Sequence, residues 1–115
     1  MAYVEMNMIV DDQNGLLGRA YEKAYTLSGV GAGDWILVPV NVASLQVTVS
    51  FTAGAEGNVS VTNSIRSVIK TGTPVAVAWP YGDVAISTAK SLSPVAALRA
   101  NQTVAGTMTI SVRAQ

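Results

Sequence analysis

Apolar and polar residues alternate along much of the chain, and the alternation is clearest in residues 44–63. From Leu45 to Phe51 every odd-numbered residue is apolar, and every even-numbered residue is glutamine, serine or threonine. Successive side chains of a β-strand point to opposite faces, so this stretch is typical of a strand with one apolar and one hydroxyl-rich face. Val59 and Val61 resume the alternation after the glycine-containing segment AGAEG. We therefore predict a hairpin over residues 44–63, with the rest of the chain covering its apolar face.

Similar patterns predict further strands at residues 3–10, 35–38, 73–79 and 84–89, and a last hairpin of residues 95–101 with residues 107–114. Residues 35–38 are apolar throughout, which indicates a strand buried on both faces and ended by Pro39. Residues 15–28 fit either a helical stripe or a strand, and Gly18, the tyrosines and the preceding turn favour the strand. Residues 63–70 fit either a short helix capped by Asn63 or Ser64, or a loop crossing between sheets.

Turn signals separate these segments at short intervals. We predict a turn at residues 11–15 (DDQNG), a flexible connection at residues 29–33 (GVGAG) and a turn at residues 80–83 (PYGD). About eight or nine short antiparallel strands with such spacing indicate an all-β fold, either a β-sandwich or a jelly roll. Residues 1–115 are expected to form a single domain, in which residues 1–30 either fold locally or form an arm or hairpin shared with a neighbouring subunit.

Composition limits the classes of protein that fit. Half of the 115 residues are hydrophobic, yet no apolar run approaches the roughly 20 residues of a membrane-spanning helix. The first residues alternate and lack a basic lead, so we expect no secretory signal. Without cysteine the chain has neither disulfides nor a thiolate metal site.

Charge is unusually scarce. Only 12% of the residues are charged and their charges cancel, so part of the exterior is expected to be covered by copies of the chain or by a partner. The alternative is that serine, threonine, asparagine, glutamine and glycine suffice for solubility. The four arginines are scattered, which argues against a nucleic-acid-binding surface.

Candidate chemistry is sparse, and we predict that the chain is not an enzyme and needs no cofactor. It contains no histidine, and its carboxylates show no spacing that favours an acid–base pair. Asp11, Asp12 and Asn14 resemble the start of a calcium loop, but the register places no carboxylate at its last position, so we expect no metal. Glycines 29, 31 and 33 precede a predicted strand rather than the helix that a phosphate cradle requires.

Aromatic residues supply the candidate contact surface. Trp79 and Tyr81 could stack on a carbohydrate at a strand end, and Tyr21 and Tyr25 are further candidate contact residues. The alternative places Trp35 in the core and makes Trp79 a cap on the sandwich, with its indole N–H bonded to a carbonyl oxygen. Asn58 and Asn101 each begin an Asn-x-Ser/Thr pattern, to which we give no weight without a signal peptide.

From Asp34 onward the sequence resembles small structural proteins of tailed bacteriophages. The segments that carry the resemblance are GDWI at 33–36, LQVTVSF at 45–51, GTP at 72–74 leading to Trp79-Pro80, SPVAALR at 93–99, and the closing stretch 106–115. The resemblance implies a non-enzymatic virion component with no catalytic residues. It implies either a β-sandwich that decorates or cements a capsid shell, or a component of the head–tail junction or tail.

The expected function is therefore capsid decoration, by a protein assembled in the bacterial cytoplasm that bridges capsomers. Its expected partners are copies of itself, with a trimer favoured, and the major capsid protein or other virion proteins. We expect neither nucleic acid nor a membrane as a partner. The alternative from another class is a receptor- or glycan-binding β-sandwich module that uses Trp79 and Tyr81.

Overall fold

The computed structural model describes residues 3–10, 19–40, 42–71 and 73–115. Within these residues the chain forms eleven strands and one short helix. In chain order they are β1 (Tyr3–Glu5), β2 (Asn7–Val10), β3 (Arg19–Leu27), β4 (Gly31–Ala32), β5 (Trp35–Leu37), β6 (Leu45–Thr52), β7 (Glu56–Thr62), α1 (Arg66–Thr71), β8 (Val77–Ala78), β9 (Thr88–Leu92), β10 (Ala97–Val104) and β11 (Thr107–Ala114).

The strands form two sheets that pack face to face, as the sequence predicts for an all-β sandwich. Sheet A has the order β1-β5-β10-β7-β8, with β4 also paired to β10, and sheet B has the order β2-β3-β11-β6-β9. All pairings are antiparallel except that of β1 with β5. Apolar side chains from both sheets meet in a shared core that includes Val47, Val59, Leu98 and Ile110.

The strand order is that of a jelly roll. When the two-residue strand β4 is left out, four pairs of successive strands each divide between the two sheets: β3/β5, β6/β7, β8/β9 and β10/β11. In both sheets these pairs stand in the order first, fourth, second, third, which is how a jelly roll wraps its chain. The pair β1/β2 adds one further strand to each sheet, beside β5 and β3.

The predicted hairpin at residues 44–63 is wrong, although both of its strands exist. β6 pairs with β11 and β9 in sheet B, whereas β7 pairs with β10 and β8 in sheet A. The two strands therefore face each other across the core instead of sharing hydrogen bonds.

The connection between β6 and β7 gives the physical reason. Its three residues, 53–55, include a tight turn with Ala53 and Gly54 at its two central positions, in which the amide of Ala55 donates to the carbonyl oxygen of Thr52 at 3.2 Å. A hairpin continued from this turn would pair Val49 with Asn58 and turn Val59 toward the polar face of the sheet. Placing the strands in opposite sheets lets both valines face the core, where both are buried.

The last predicted hairpin fails in the same way. β10 lies in sheet A and β11 in sheet B, and two residues separate them. A hairpin closed over those two residues would pair Ile110 with Asn101, so apolar and polar side chains would again share a face. In the observed arrangement Ile110 is buried and Asn101 lies on the outer face of sheet A, beside β7.

The N-terminal strands differ in part from the prediction. Residues 3–10 form two short strands, one in each sheet, instead of one strand. The strand favoured for residues 15–28 is confirmed over Arg19–Leu27, where β3 pairs with β2 and β11. The predicted turn at residues 11–15 and the calcium pattern within it lie outside the described residues.

Several smaller predictions also need correction. The supposedly flexible residues 29–33 include β4, which pairs with β10 through Gly31 and Ala32. The predicted strand at 73–79 shrinks to Val77–Ala78, and the one at 84–89 is shifted to Thr88–Leu92. The helix begins at Arg66 rather than directly after Asn63 or Ser64, because the carbonyl of Ile65 accepts its first bonds.

Burial of β5 on both faces is confirmed, and α1 explains it. Ile36 faces the core between the sheets, whereas Trp35 and Leu37 face outward from sheet A. Ile69 of α1 packs on that outer side and is fully buried with them. Arg66 fixes the start of the helix, because its Nη2 donates to the carbonyl oxygen of Val38 at 3.0 Å.

Candidate functional surfaces

Trp79 is part of the interior and not of a stacking surface. Its side chain is only 2% exposed, and its indole N–H donates to the carbonyl oxygen of Gly82 at 2.6 Å. Its ring meets that of Tyr81 edge-on, with 5.2 Å between the centroids. This is the alternative that the sequence left open, in which Trp79 caps the sandwich and has no free face for a ligand.

Tyr81 is partly exposed, but its polar end is bound within the chain. Its hydroxyl donates to the carbonyl oxygen of Ser91 at 2.6 Å, and Lys90 Nζ lies 4.9 Å from its ring centroid. These contacts tie the turn at residues 80–83 to β9, on the side of the sandwich where the chain passes from sheet A to sheet B. Tyr81 thus links the turn after β8 of sheet A to β9 of sheet B, and it remains 39% exposed.

Tyr21 and Tyr25 lie together on β3, on the side that faces the core. Both are half-buried and pack against the central cluster. Gly33 passes so close to Tyr25 that a Cβ built on it would lie 2.7 Å from the ring. The structure therefore gives these two tyrosines a packing role and does not bring them together with Trp79 and Tyr81, which lie at the other side of the sheets.

A polar network that the sequence analysis did not predict lies on the outer face of sheet A. Asn101 Nδ2 donates to Asn58 Oδ1 at 2.9 Å and to Ser60 Oγ at 2.7 Å. Asn58 Nδ2 in turn donates to Asp83 Oδ1 at 2.7 Å. We call these four residues the amide network. The chain of bonds holds the turn at residues 80–83 against β7 and β10 and orients carboxylate, amide and hydroxyl groups on one surface.

One signal in the sequence could have indicated this network. Asn58 and Ser60 are two residues apart on a strand, so they share a face, and Asn101 lies on another strand with the same alternation. The missing information was the pairing of β7 with β10, which sets Asn101 opposite Asn58.

Arg99 lies next to the amide network and stacks on Trp35. Its guanidinium carbon is 4.5 Å from the indole ring centroid, a cation–π arrangement on the outer face of sheet A. The Nε atom of Arg99 is buried and has no hydrogen-bond partner. Trp35 is buried, as the sequence predicts for a core tryptophan.

Two open grooves lie at the end of the sandwich where β6 and β10 begin, and they share Pro94. The first, of about 660 Å³, is mainly polar, with Ser44, Gln46, Ser91, Arg113 and Gln115 in its walls. The second, of about 590 Å³, is mainly apolar, with Val40, Val42, Ile65 and Val95. No aspartate or glutamate is among the described residues that line either groove, so neither presents the carboxylate pair used in acid–base hydrolysis.

The side of the sandwich formed by β8, β9 and their connections is apolar. Four exposed large apolar side chains occur there within a short stretch of sequence: Val75, Val77, Tyr81 and Ile86. We call residues 73–92 the β8–β9 edge. Its exposed side chains contrast with those of sheet B, whose outer face carries serine and threonine hydroxyls such as Thr26 and Thr109, 3.1 Å apart.

Neither a metal centre nor a membrane helix was found in the described parts of the chain. No three histidine, cysteine, aspartate or glutamate residues among them come together as metal ligands. The described helix, at six residues, lacks the length and apolar character needed to cross a bilayer.

No protein-family model, curated protein or solved structure matches this chain.

Proposed function

We propose that this chain is a structural protein of a bacteriophage virion, a capsid decoration or cement protein that acts as a homo-oligomer. We assign it neither a catalytic residue nor a cofactor. It assembles in the bacterial cytoplasm with copies of itself, a trimer being favoured, and with the major capsid protein.

Two physical features support the proposal. The jelly roll is a fold used by viral capsid proteins, although it also serves lectins and cupins. The observation that carries more weight is the apolar β8–β9 edge on a chain with only 12% charged residues. A protein that works alone in water gains nothing from exposing such an edge, whereas a protein that works by adhesion does.

The proposed action is mechanical. A decoration protein that binds the closed shell and not its separated subunits adds its binding free energy to the free energy of opening the shell. Contacts of standard interface area on two neighbouring capsomers are sufficient for this purpose, and no chemistry is needed.

Co-sedimentation tests the proposal. Purified protein is mixed separately with DNA-filled heads and with isolated tails of the phage whose genome encodes the chain. We expect saturable pelleting with heads and none with tails. Binding to tails or portals alone would overturn the decoration role in favour of a tail or head–tail junction component, and binding to neither would overturn the virion assignment.

A second candidate function, glycan recognition, is favoured by the amide network and no longer by Trp79. Asp83, Asn58, Asn101 and Ser60 present the carboxylate, amide and hydroxyl groups that bind sugar hydroxyls. Glycan-array binding that is lost in Asn101→Ala but kept in Thr109→Ala, a variant on the opposite sheet, would support it. An array without signal for the wild-type protein would remove it.

A further inference from the structure

We propose that the β8–β9 edge is the surface through which copies of this chain bind one another. The inference deepens the self-association in the proposed function by naming the surface, and it does not require a capsid. The occupant is a second copy of the chain, which contacts the edge mainly through apolar side chains.

Exposed apolar side chains run along the length of this edge. Val75 is 72% exposed near the start of the segment, and Ile86 is 76% exposed near its other end, with Val77 between them. Val75 lies beside the residues that precede α1, because its amide donates to Ser64 Oγ at 3.1 Å. Ile86 lies close to the end of β6, since the neighbouring Ser87 accepts a hydrogen bond from the amide of Phe51. The apolar positions therefore span the edge from one end of the sandwich to the other.

The charged side chains of the edge are both engaged within the chain. Asp83 and Lys90 are the two charged residues in the segment 73–92. Asp83 accepts a hydrogen bond from Asn58, and Lys90 lies over the ring of Tyr81. The two side chains carry opposite charges, so the edge has no net charge. A second copy of the same edge is therefore not repelled by a net charge of like sign.

The backbone of the edge is also only partly paired. Before β9 begins at Thr88, the edge contains only the two strand residues Val77 and Ala78. Further backbone hydrogen bonds join Trp79 to Val59 and Val84 to Gly57. A short, irregular edge resists sheet extension by arbitrary strands, which is how soluble β-proteins limit aggregation. Side-chain packing by a defined partner is therefore favoured over open-ended strand addition.

The size of the molecule allows a contact of standard area. The molecule measures 42 × 32 × 24 Å along its principal axes. A contact that covers one whole side, even a side bounded by the two shorter dimensions, would bury roughly 800 Å², which is about what each partner buries in a standard protein–protein interface.

Sedimentation velocity over a wide concentration range tests this inference, using wild type, Val75→Lys, Ile86→Lys and Val30→Lys. Val30 is a matched control, because it is 66% exposed but lies in the connection between β3 and β4, strands that neighbour neither β8 nor β9 in the sheets. We expect the wild type to associate, each edge variant to associate at least about tenfold more weakly, and Val30→Lys to match the wild type. Circular dichroism and thermal unfolding check that all four proteins fold alike.

A wild-type protein that remains monomeric at every concentration would overturn the inference. Edge variants that associate as strongly as the wild type would overturn it as well, and so would loss of association in Val30→Lys alone. These outcomes are separable from the proposed function. A monomer that pellets with heads refutes the self-association surface alone, and an edge-dependent oligomer that ignores heads refutes the decoration role alone.

Discussion

The two outer faces of the sandwich are built differently. Sheet A is covered in part by α1, whose Ile69 packs on Trp35 and Leu37 to form a second, smaller apolar cluster. Sheet B has no such cover among the described residues, and its outer face presents the even-numbered polar residues of β6 and the hydroxyls of β11. The same fold thus contains one face closed by a helix and one face left to water.

The difference follows from the sequence of individual strands. β6 alternates apolar and polar residues, so burial of one face is enough to remove its apolar side chains from water. β5 is apolar at three successive positions, so it requires cover on both faces, and α1 supplies the second. A helix of six residues is too short to be stable alone, and it is stable here because its packing on the apolar outer side of β5 removes side chains of both from water. Four substitutions test this comparison, from the largest expected effect to the smallest.

Ile110→Ala removes a fully buried side chain from the core between the sheets. We expect a loss of about 2–5 kcal/mol of unfolding free energy, because the surrounding strands cannot collapse into the cavity. Chemical denaturation measures it. A loss below that range would mean that the two sheets pack less tightly than the fold implies.

Ile69→Ala removes the side chain through which α1 covers sheet A. We expect a loss of about 2–4 kcal/mol and faster hydrogen exchange in α1, with strand amides of sheet B unaffected. Val68→Ala, on the exposed side of the same helix, is the control and is expected to cost far less. Equal effects of the two substitutions would show that α1 does not act as the cover.

Arg66→Ala removes the hydrogen bond from the guanidinium to the carbonyl oxygen of Val38. The expected loss is about 1 kcal/mol, since a net hydrogen bond contributes about that much and the carbonyl becomes accessible to water. Arg66→Lys is expected to recover only part of it, because its shorter donor group reaches a different position. Full stability of the alanine variant would show that Arg66 does not anchor the helix.

Thr109→Ala tests the open face of sheet B. Thr109 bonds to Thr26 on a surface reached by water, so we expect a change within about 0.5 kcal/mol in unfolding free energy. A loss comparable to that of Ile69→Ala would indicate that this face is covered after all, and would remove the contrast between the two sheets.

The sequence predicted the strands better than their partners. Alternation identified β6, β7, β10 and β11, because a strand half-buried on a sheet repeats every two residues. The pairing depends instead on the length and parity of each connection. The tight turns after β6 and β10, each with two central residues, place the strands on either side in opposite sheets. A loop with an odd number of residues, such as the five of AGAEG, would have turned the apolar side chains of both strands to the same face and so allowed the predicted hairpin.

Whether a candidate contact residue is buried or exposed could be predicted only where the surrounding sequence allows one of the two. Trp35 follows from its position in a continuous apolar run, and it is buried. Trp79 borders a turn, where the pattern allows both burial and exposure, and its environment depends on Gly82 folding back to accept its indole N–H. The amide network and the β8–β9 edge arise from pairings between distant segments, which no local pattern specifies.

The proposed virion role is tested most directly by electron cryo-microscopy of intact particles of a phage that carries the gene for this chain. We expect a jelly-roll density, in many copies, on the outside of the head and across the joints between capsomers. Absence of the chain from the head, or its presence only in the tail, would contradict the account.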